Sequence, residues 1–102
     1  MIVVVTESAE ADLEAIADWI AADNPSRALS FVEELRSACR SLASAARRYP
    51  LIPRYESAGI RRRVYRDYLI LYRISKRTIE ILRVLHGAQD FDAVLFPMGS
   101  PE

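Results

Sequence analysis

Residues 60–86, IRRRVYRDYLILYRISKRTIEILRVLH, decide the fold. The segment holds three runs rich in Ile, Val, Leu and Tyr, at residues 60–65, 68–74 and 78–86. Polar connections separate them, Arg66-Asp67 first and Ser75-Lys76-Arg77 second. Short β-prone runs joined by short polar turns read as an antiparallel meander, with Gly87 ending the last strand. Side chains alternate across a strand, so Arg61, Arg63 and Tyr65 share one face of the first run and Ile60, Arg62 and Val64 the other. The apolar pair Ile60 and Val64 is expected to face the core. That places Arg61 and Arg63 on an open sheet face and leaves Arg62 to snorkel or to sit at a bulge. In the last run Leu82, Val84 and His86 share one face and Ile81, Arg83 and Leu85 the other. Arg73 shares a face with Leu69 and Leu71, and periodicity does not decide which face that is.

Upstream, Ile2 to Val5 is β-branched and bounded by Thr6 and Ser8, a short buried strand followed by helix-start residues. Ala9, Leu13, Ile16, Ala17 and Ile20 then form one apolar stripe opposite Glu10, Glu14 and Asp18, as an amphipathic helix requires. Trp19 at the stripe's edge is expected to cover the rim of the core. Asp23-Asn24-Pro25 ends that helix and opens the next, with Asn24 as cap and Pro25 in the first helical position. Ala28, Phe31, Val32, Leu35, Ala38, Cys39, Leu42 and Ala46 share the face of this second helix, and Tyr49-Pro50-Leu51-Ile52-Pro53 stops it. The helices are expected near residues 8–23 and 25–47. After Gly87, Asp90 is placed to cap a short C-terminal helix with Phe91, Val94 and Leu95 facing inward. The fold expected is α+β: a helical hairpin on one face of a mainly antiparallel four-stranded sheet, in the order β-α-α-β-β-β with a short helix at the end. One domain over residues 1–97 and a frayed tail over 98–102 are expected.

The 102 residues suit one domain, and 51% hydrophobic with 27% charged residues is a globular composition. One cysteine, Cys39, and one histidine, His86, leave no internal disulfide and no His- or Cys-rich metal site, so no metal or cofactor is expected. Cys39, on the apolar stripe, is expected to be a small buried residue. No apolar run approaches the ~20 residues that cross a bilayer, and no signal-like start is visible, so a soluble, cytoplasmic protein without a membrane partner is expected.

The net charge of zero hides a strong asymmetry. Residues 1–35 carry eight acids against Arg27, a net of −7, whereas residues 36–83 carry thirteen cations against three acids, a net of +10. Thirteen of the fourteen cations are arginines. Guanidinium groups grip carboxylates and phosphates in bidentate fashion, so an acidic partner is indicated unless the two halves pair with each other. Arg61, Arg63, Arg73 and Arg83, if they converge, form a cationic stripe with aromatic neighbours. Attack by a ribose 2′-hydroxyl would need a base, an acid and cations. Those arginines can supply charge and His86 one proton transfer, but the second role would fall to Glu56, Asp90 or a tyrosine, and no spacing nominates one. His86 is otherwise a strand-end residue bonded to backbone.

Five pieces recur in a known order: Ala11-Asp12-Leu13 with Ile16, Asn24-Pro25 with Ala28, Ile60-Arg61-Arg62, Tyr68-Leu69-Ile70-Leu71-Tyr72-Arg73-Ile74, and Arg83-Val84-Leu85-His86-Gly87 with Asp90. Together they resemble the ParE branch of the RelE/ParE superfamily of bacterial toxins over roughly Val3 to Leu95. The resemblance implies the toxic half of a toxin–antitoxin pair, with DNA gyrase as target. It also implies a cognate acidic, ParD-like antitoxin whose disordered tail folds along the toxin, and no sequence-specific DNA binding by this chain. RelE-like relatives instead cleave messenger RNA on the ribosome. The residues this reading assigns to target or antitoxin binding are Arg61, Arg63, Tyr65, Arg73, Arg83 and His86, with His86 catalytic only under the endonuclease alternative. The family's common ending is His-Gly-x-Arg-Asp, and Gln89 stands here where the Arg would be.

Overall fold

A computed structural model describes residues 1–87 and Leu95. Strand β1 (Ile2–Val5) leads into helices α1 (Glu7–Ala21) and α2 (Pro25–Arg40), and a single 3-10 turn (Ser41–Ser44) extends α2. Three strands follow, β2 (Ile60–Tyr65), β3 (Tyr68–Ser75) and β4 (Thr78–His86). The sheet order is β1-β4-β3-β2, with β2, β3 and β4 an antiparallel meander and β1 parallel to β4. The helical hairpin and the meander are those expected from the sequence. The short helix expected after Asp90 and the contact of Gln89 lie outside the described residues.

The helix starts follow from local chemistry. The Thr6 side chain accepts from the Ala9 N–H and the Asn24 side chain from the Arg27 N–H, each satisfying one orphan donor of the first turn, and Pro25 occupies the first turn of α2. Thr6 Oγ1 also donates to the Ile81 carbonyl at 2.7 Å, tying the start of α1 to β4. The hairpin loops 66–67 and 76–77 are two residues long, and Arg66 and Lys76 take the left-handed conformation (φ 54° and 59°) that such tight turns require.

The sheet is apolar on both faces. Ile70 and Tyr72 of β3 and Ile79, Ile81 and Val84 of β4 meet the helices' buried side chains Ala9, Leu13, Ile16, Phe31, Leu35, Cys39 and Leu42. On the opposite face Leu69, Leu71, Leu85 and Ile60 are roofed by Ile52 and Tyr55 from the loop before β2, with Leu95 packed against them. The second face is therefore covered at its centre, not open. That loop also pairs with the sheet edge: the Ile52 N–H donates to the Ile60 carbonyl and the Arg62 N–H to the Pro50 carbonyl.

Three expectations are corrected. Ile60 and Val64 do not face the helices: Ile60 sits under Ile52 and Tyr55, and Val64 is 61% exposed. Arg61, Arg63 and Tyr65 point to the helix side instead, as their contacts below show. Trp19 covers nothing, being 78% exposed on the outside of α1. On β4, Ile81 pairs with Tyr72 and Arg83 with Leu71, so Leu82 is the extra residue of a β-bulge, and strict alternation fails there.

Candidate functional site

The expected convergence of Arg61, Arg63, Arg73 and Arg83 does not occur. Arg83 turns to α1, where its Nε and Nη2 donate to the Asp12 carboxylate at 2.7 and 2.6 Å, and the Val84 N–H donates to the same carboxylate at 2.9 Å. Asp12 fixes the bulged strand as well as the guanidinium, and its hydrogen bonds push the Arg83 pKa up. Arg73 lies on the opposite sheet face and donates to Glu80 across the β3–β4 ladder at 2.6 Å. His86, exposed at the end of β4, meets Tyr68 edge-on with ring centroids 5.4 Å apart. Burial and the charge of Asp67 raise the Tyr68 phenol pKa. A shallow cleft of about 380 Å³ runs past Val64, Arg66, Tyr68, Leu69, His86 and Gly87.

Arg61, Arg63 and Tyr65 do come together, along a seam between β2 and α2. Arg61 Nη1 donates to the Tyr49 carbonyl at 2.6 Å. Arg63 Nη1 donates to the Ala38 carbonyl at 2.7 Å and to Ser41 Oγ at 2.5 Å, and its guanidinium lies over the Tyr49 ring, 5.1 Å from the centroid. A cation at the carbonyl end of α2 also complements the helix dipole. Farther along, the Tyr65 hydroxyl donates to Glu34 at 2.7 Å, and Glu34 also receives Arg27 at 2.6 Å, with Arg66 at 3.5 Å. The Arg27 hydrogen bond first, then that of Tyr65, holds the Glu34 pKa below the ordinary carboxylate value. Glu34, Ser37, Ala38, Ser41, Arg63 and Tyr65 line a cleft of about 330 Å³.

A division among the arginines follows. Arg27, Arg36, Arg40, Arg66, Arg73 and Arg83 each pair with a carboxylate of this chain. Among the described residues Arg61 and Arg63 meet neutral oxygens and, for Arg63, the Tyr49 ring, and pair with no carboxylate, which leaves N–H donors for an outside anion. The two halves of the charge asymmetry thus pair in part and leave the β2 edge unneutralised. The acceptor roles of Asp12 and Glu34 are not visible in the sequence, because nothing in local periodicity shows that an acid on a helix reaches a strand distant in the chain. Cys39 is buried as expected, and burial pushes its thiol up to about 11, so it is no nucleophile at neutral pH. Among the described residues, no group of three or more His, Cys, Asp or Glu side chains is placed to hold a metal, and no helix is long and apolar enough to cross a membrane.

The site is a cationic sheet edge backed by a helical hairpin. Residues 3–91 match the family model described as the ParE toxin of the type II toxin–antitoxin system, parDE, and the chain belongs to that family. A solved structure described as the chromosomal ParDE TA system from P. aeruginosa is similar, with 27% sequence identity and a TM-score of 0.72 over 84% of this chain and 95% of that one. No curated protein matches the chain.

Proposed function

We propose that this ParE-family toxin acts by binding DNA gyrase, without hydrolytic chemistry of its own, and that a cognate acidic antitoxin neutralises it. The observation that carries the reading is the dispersal of the cations around the one histidine. An endonuclease site at His86 would need guanidinium groups free to meet a developing phosphorane. Arg83 is engaged by Asp12, Arg73 by Glu80 on the other face, and Arg66 lies within ion-pair distance of Glu34. Binding through the β2 edge needs no reacting group. An acidic tail that folds on contact would place carboxylates on the spare donors of Arg61 and Arg63. Arg83, given to this surface on sequence grounds, serves the fold.

Expression of the chain in bacteria without antitoxin, with separate readouts of DNA breaks and of transcript cleavage, tests the proposal. DNA breaks with a damage response, and toxicity retained in His86→Gln, are expected. Transcripts cut within codons, no DNA breaks, and loss of toxicity in a folded His86→Gln variant would replace the gyrase reading with ribosome-dependent cleavage of messenger RNA.

A further inference from the structure

We infer that one end of the molecule is a docking surface for the phosphate backbone of duplex DNA, contacted without regard to sequence. This goes beyond the gyrase reading and does not depend on it. Cations from three separate chain segments lie towards this end, Arg61 and Arg62 in register with Tyr72 and Leu71, a few residues along the sheet from the hairpin tip. Arg47 and Arg48 follow the 3-10 turn, Arg61 and Arg62 open β2, and Lys76 and Arg77 form the tip of the β3–β4 hairpin. The backbone joins them: Arg61 Nη1 reaches the Arg47 and Tyr49 carbonyls, and the Arg62 N–H donates to the Pro50 carbonyl. The Ile2 N–H donates to the Arg77 carbonyl at 3.0 Å, while Met1 lines one shallow hollow with Ala43 to Arg48.

None of these six cations has a carboxylate partner among the described residues, whereas six other arginines do, Arg73 with Glu80 at this same sheet end among them. Arg47, Arg48, Arg62, Lys76 and Arg77 are exposed. Glu56 is the one acid between Arg36 and Arg66 in the sequence. Holding so many like charges together costs self-repulsion, which a dense polyanion relieves. Duplex DNA carries one charge per about 1.7 Å of axis and releases condensed counterions when cations replace them.

Geometry favours a duplex over a single strand. Single-strand binders stack bases on open aromatic rings, and the nearest ring here, Tyr49, is half-buried beneath Arg63.

Fluorescence anisotropy of a labelled mixed-sequence duplex, titrated with the full chain over a range of salt, tests this. The duplex should bind at low salt, with affinity falling linearly on a log–log plot. An Arg47→Ala, Arg48→Ala, Arg77→Ala triple variant, confirmed folded by circular dichroism, should bind at least tenfold more weakly at low salt and flatten the slope by about 2 to 3, near 0.9 per lost phosphate contact. Removing the ion-paired Arg27, Arg40 and Arg66 instead should leave the slope unchanged. Absence of duplex binding at low salt, an unchanged slope in the first triple variant, or tighter binding of single-stranded DNA, duplex RNA or polyglutamate would each overturn the inference. The assay contains no gyrase, so its outcome is separate from that of the gyrase reading.

Discussion

Replacing Asp12 with alanine should be among the most damaging single changes outside the apolar core. The Asp12 side chain is 13% exposed and accepts three hydrogen bonds, two from Arg83, itself 29% exposed, and one from the Val84 N–H beside the Leu82 bulge. Its loss strands a half-buried guanidinium and an amide. Leaving a buried donor unsatisfied costs about 1–3 kcal/mol, and breaking a fully buried ion pair about 3–5. Partial exposure of Arg83 discounts the second figure, so a loss of about 2–4 kcal/mol is expected for Asp12→Ala. With a urea slope of about 1–3 kcal/mol/M for a domain of this size, the unfolding midpoint should fall by roughly 1–2 M. Asp12→Asn keeps an acceptor for Val84 and removes the charge, and should lose about half as much. A cycle of Asp12→Ala, Arg83→Ala and the double variant, followed by circular dichroism in urea, should give a coupling of about 1–3 kcal/mol. A midpoint shift in Asp12→Ala below about 0.3 M, or losses that simply add, would refute the assignment of Asp12 as the clamp of β4.

Further outcomes follow from other contacts. Cys39, whose thiol burial raises to about 11, should resist thiol reagents at pH 8 until the chain unfolds. Because the folded pKa exceeds the unfolded one, its contribution is complete below the unfolded value near 8.5 and is lost as pH rises towards about 11. Glu10 and Glu34 are held below the ordinary carboxylate value by Arg36 and Arg27, so their contribution is present above about pH 4.3 and is lost on further acidification. Glu10→Gln/Glu34→Gln should therefore flatten the acid limb of a stability-against-pH curve. Trp19, the one tryptophan, is exposed, so its emission should barely shift on unfolding, and Trp19→Ser should change stability by less than about 0.5 kcal/mol. Asn24→Ala removes the acceptor of the Arg27 N–H and should cost about 1 kcal/mol in thermal or urea unfolding.

The helices were legible because each has one wet face. Ala9, Leu13 and Ile16 on α1, and Phe31, Leu35 and Cys39 on α2, are buried where their spacing puts them, and Asn24-Pro25 marks the boundary by capping chemistry. The sheet was legible in its strands and less so in its faces. Both faces of β3 are apolar, so parity carries no direction there, and the roof made by Ile52 and Tyr55 comes from a loop without period. On β2 the rule that apolar pairs face the helices failed. Ile60 found its burial under that roof, and Arg61 and Arg63 lay their stems along the helix side with their charged heads on carbonyls. On β4 the Leu82 bulge resets the alternation and turns Arg83 towards Asp12. The charge asymmetry in the sequence reflects a stretch, residues 37–65, whose one acid is Glu56, and Arg47, Arg48 and Arg61 to Arg63 of it have no carboxylate partner among the described residues.

On the proposed reading, toxicity lies in binding to gyrase. Its most direct test adds the purified chain to purified DNA gyrase and relaxed plasmid, with and without antitoxin. Supercoiling should stop and cleaved plasmid accumulate, antitoxin should reverse both effects, and His86→Gln should behave as the parent chain. Normal supercoiling at saturating toxin, with messenger RNA cut on purified ribosomes by the same preparation, would contradict it.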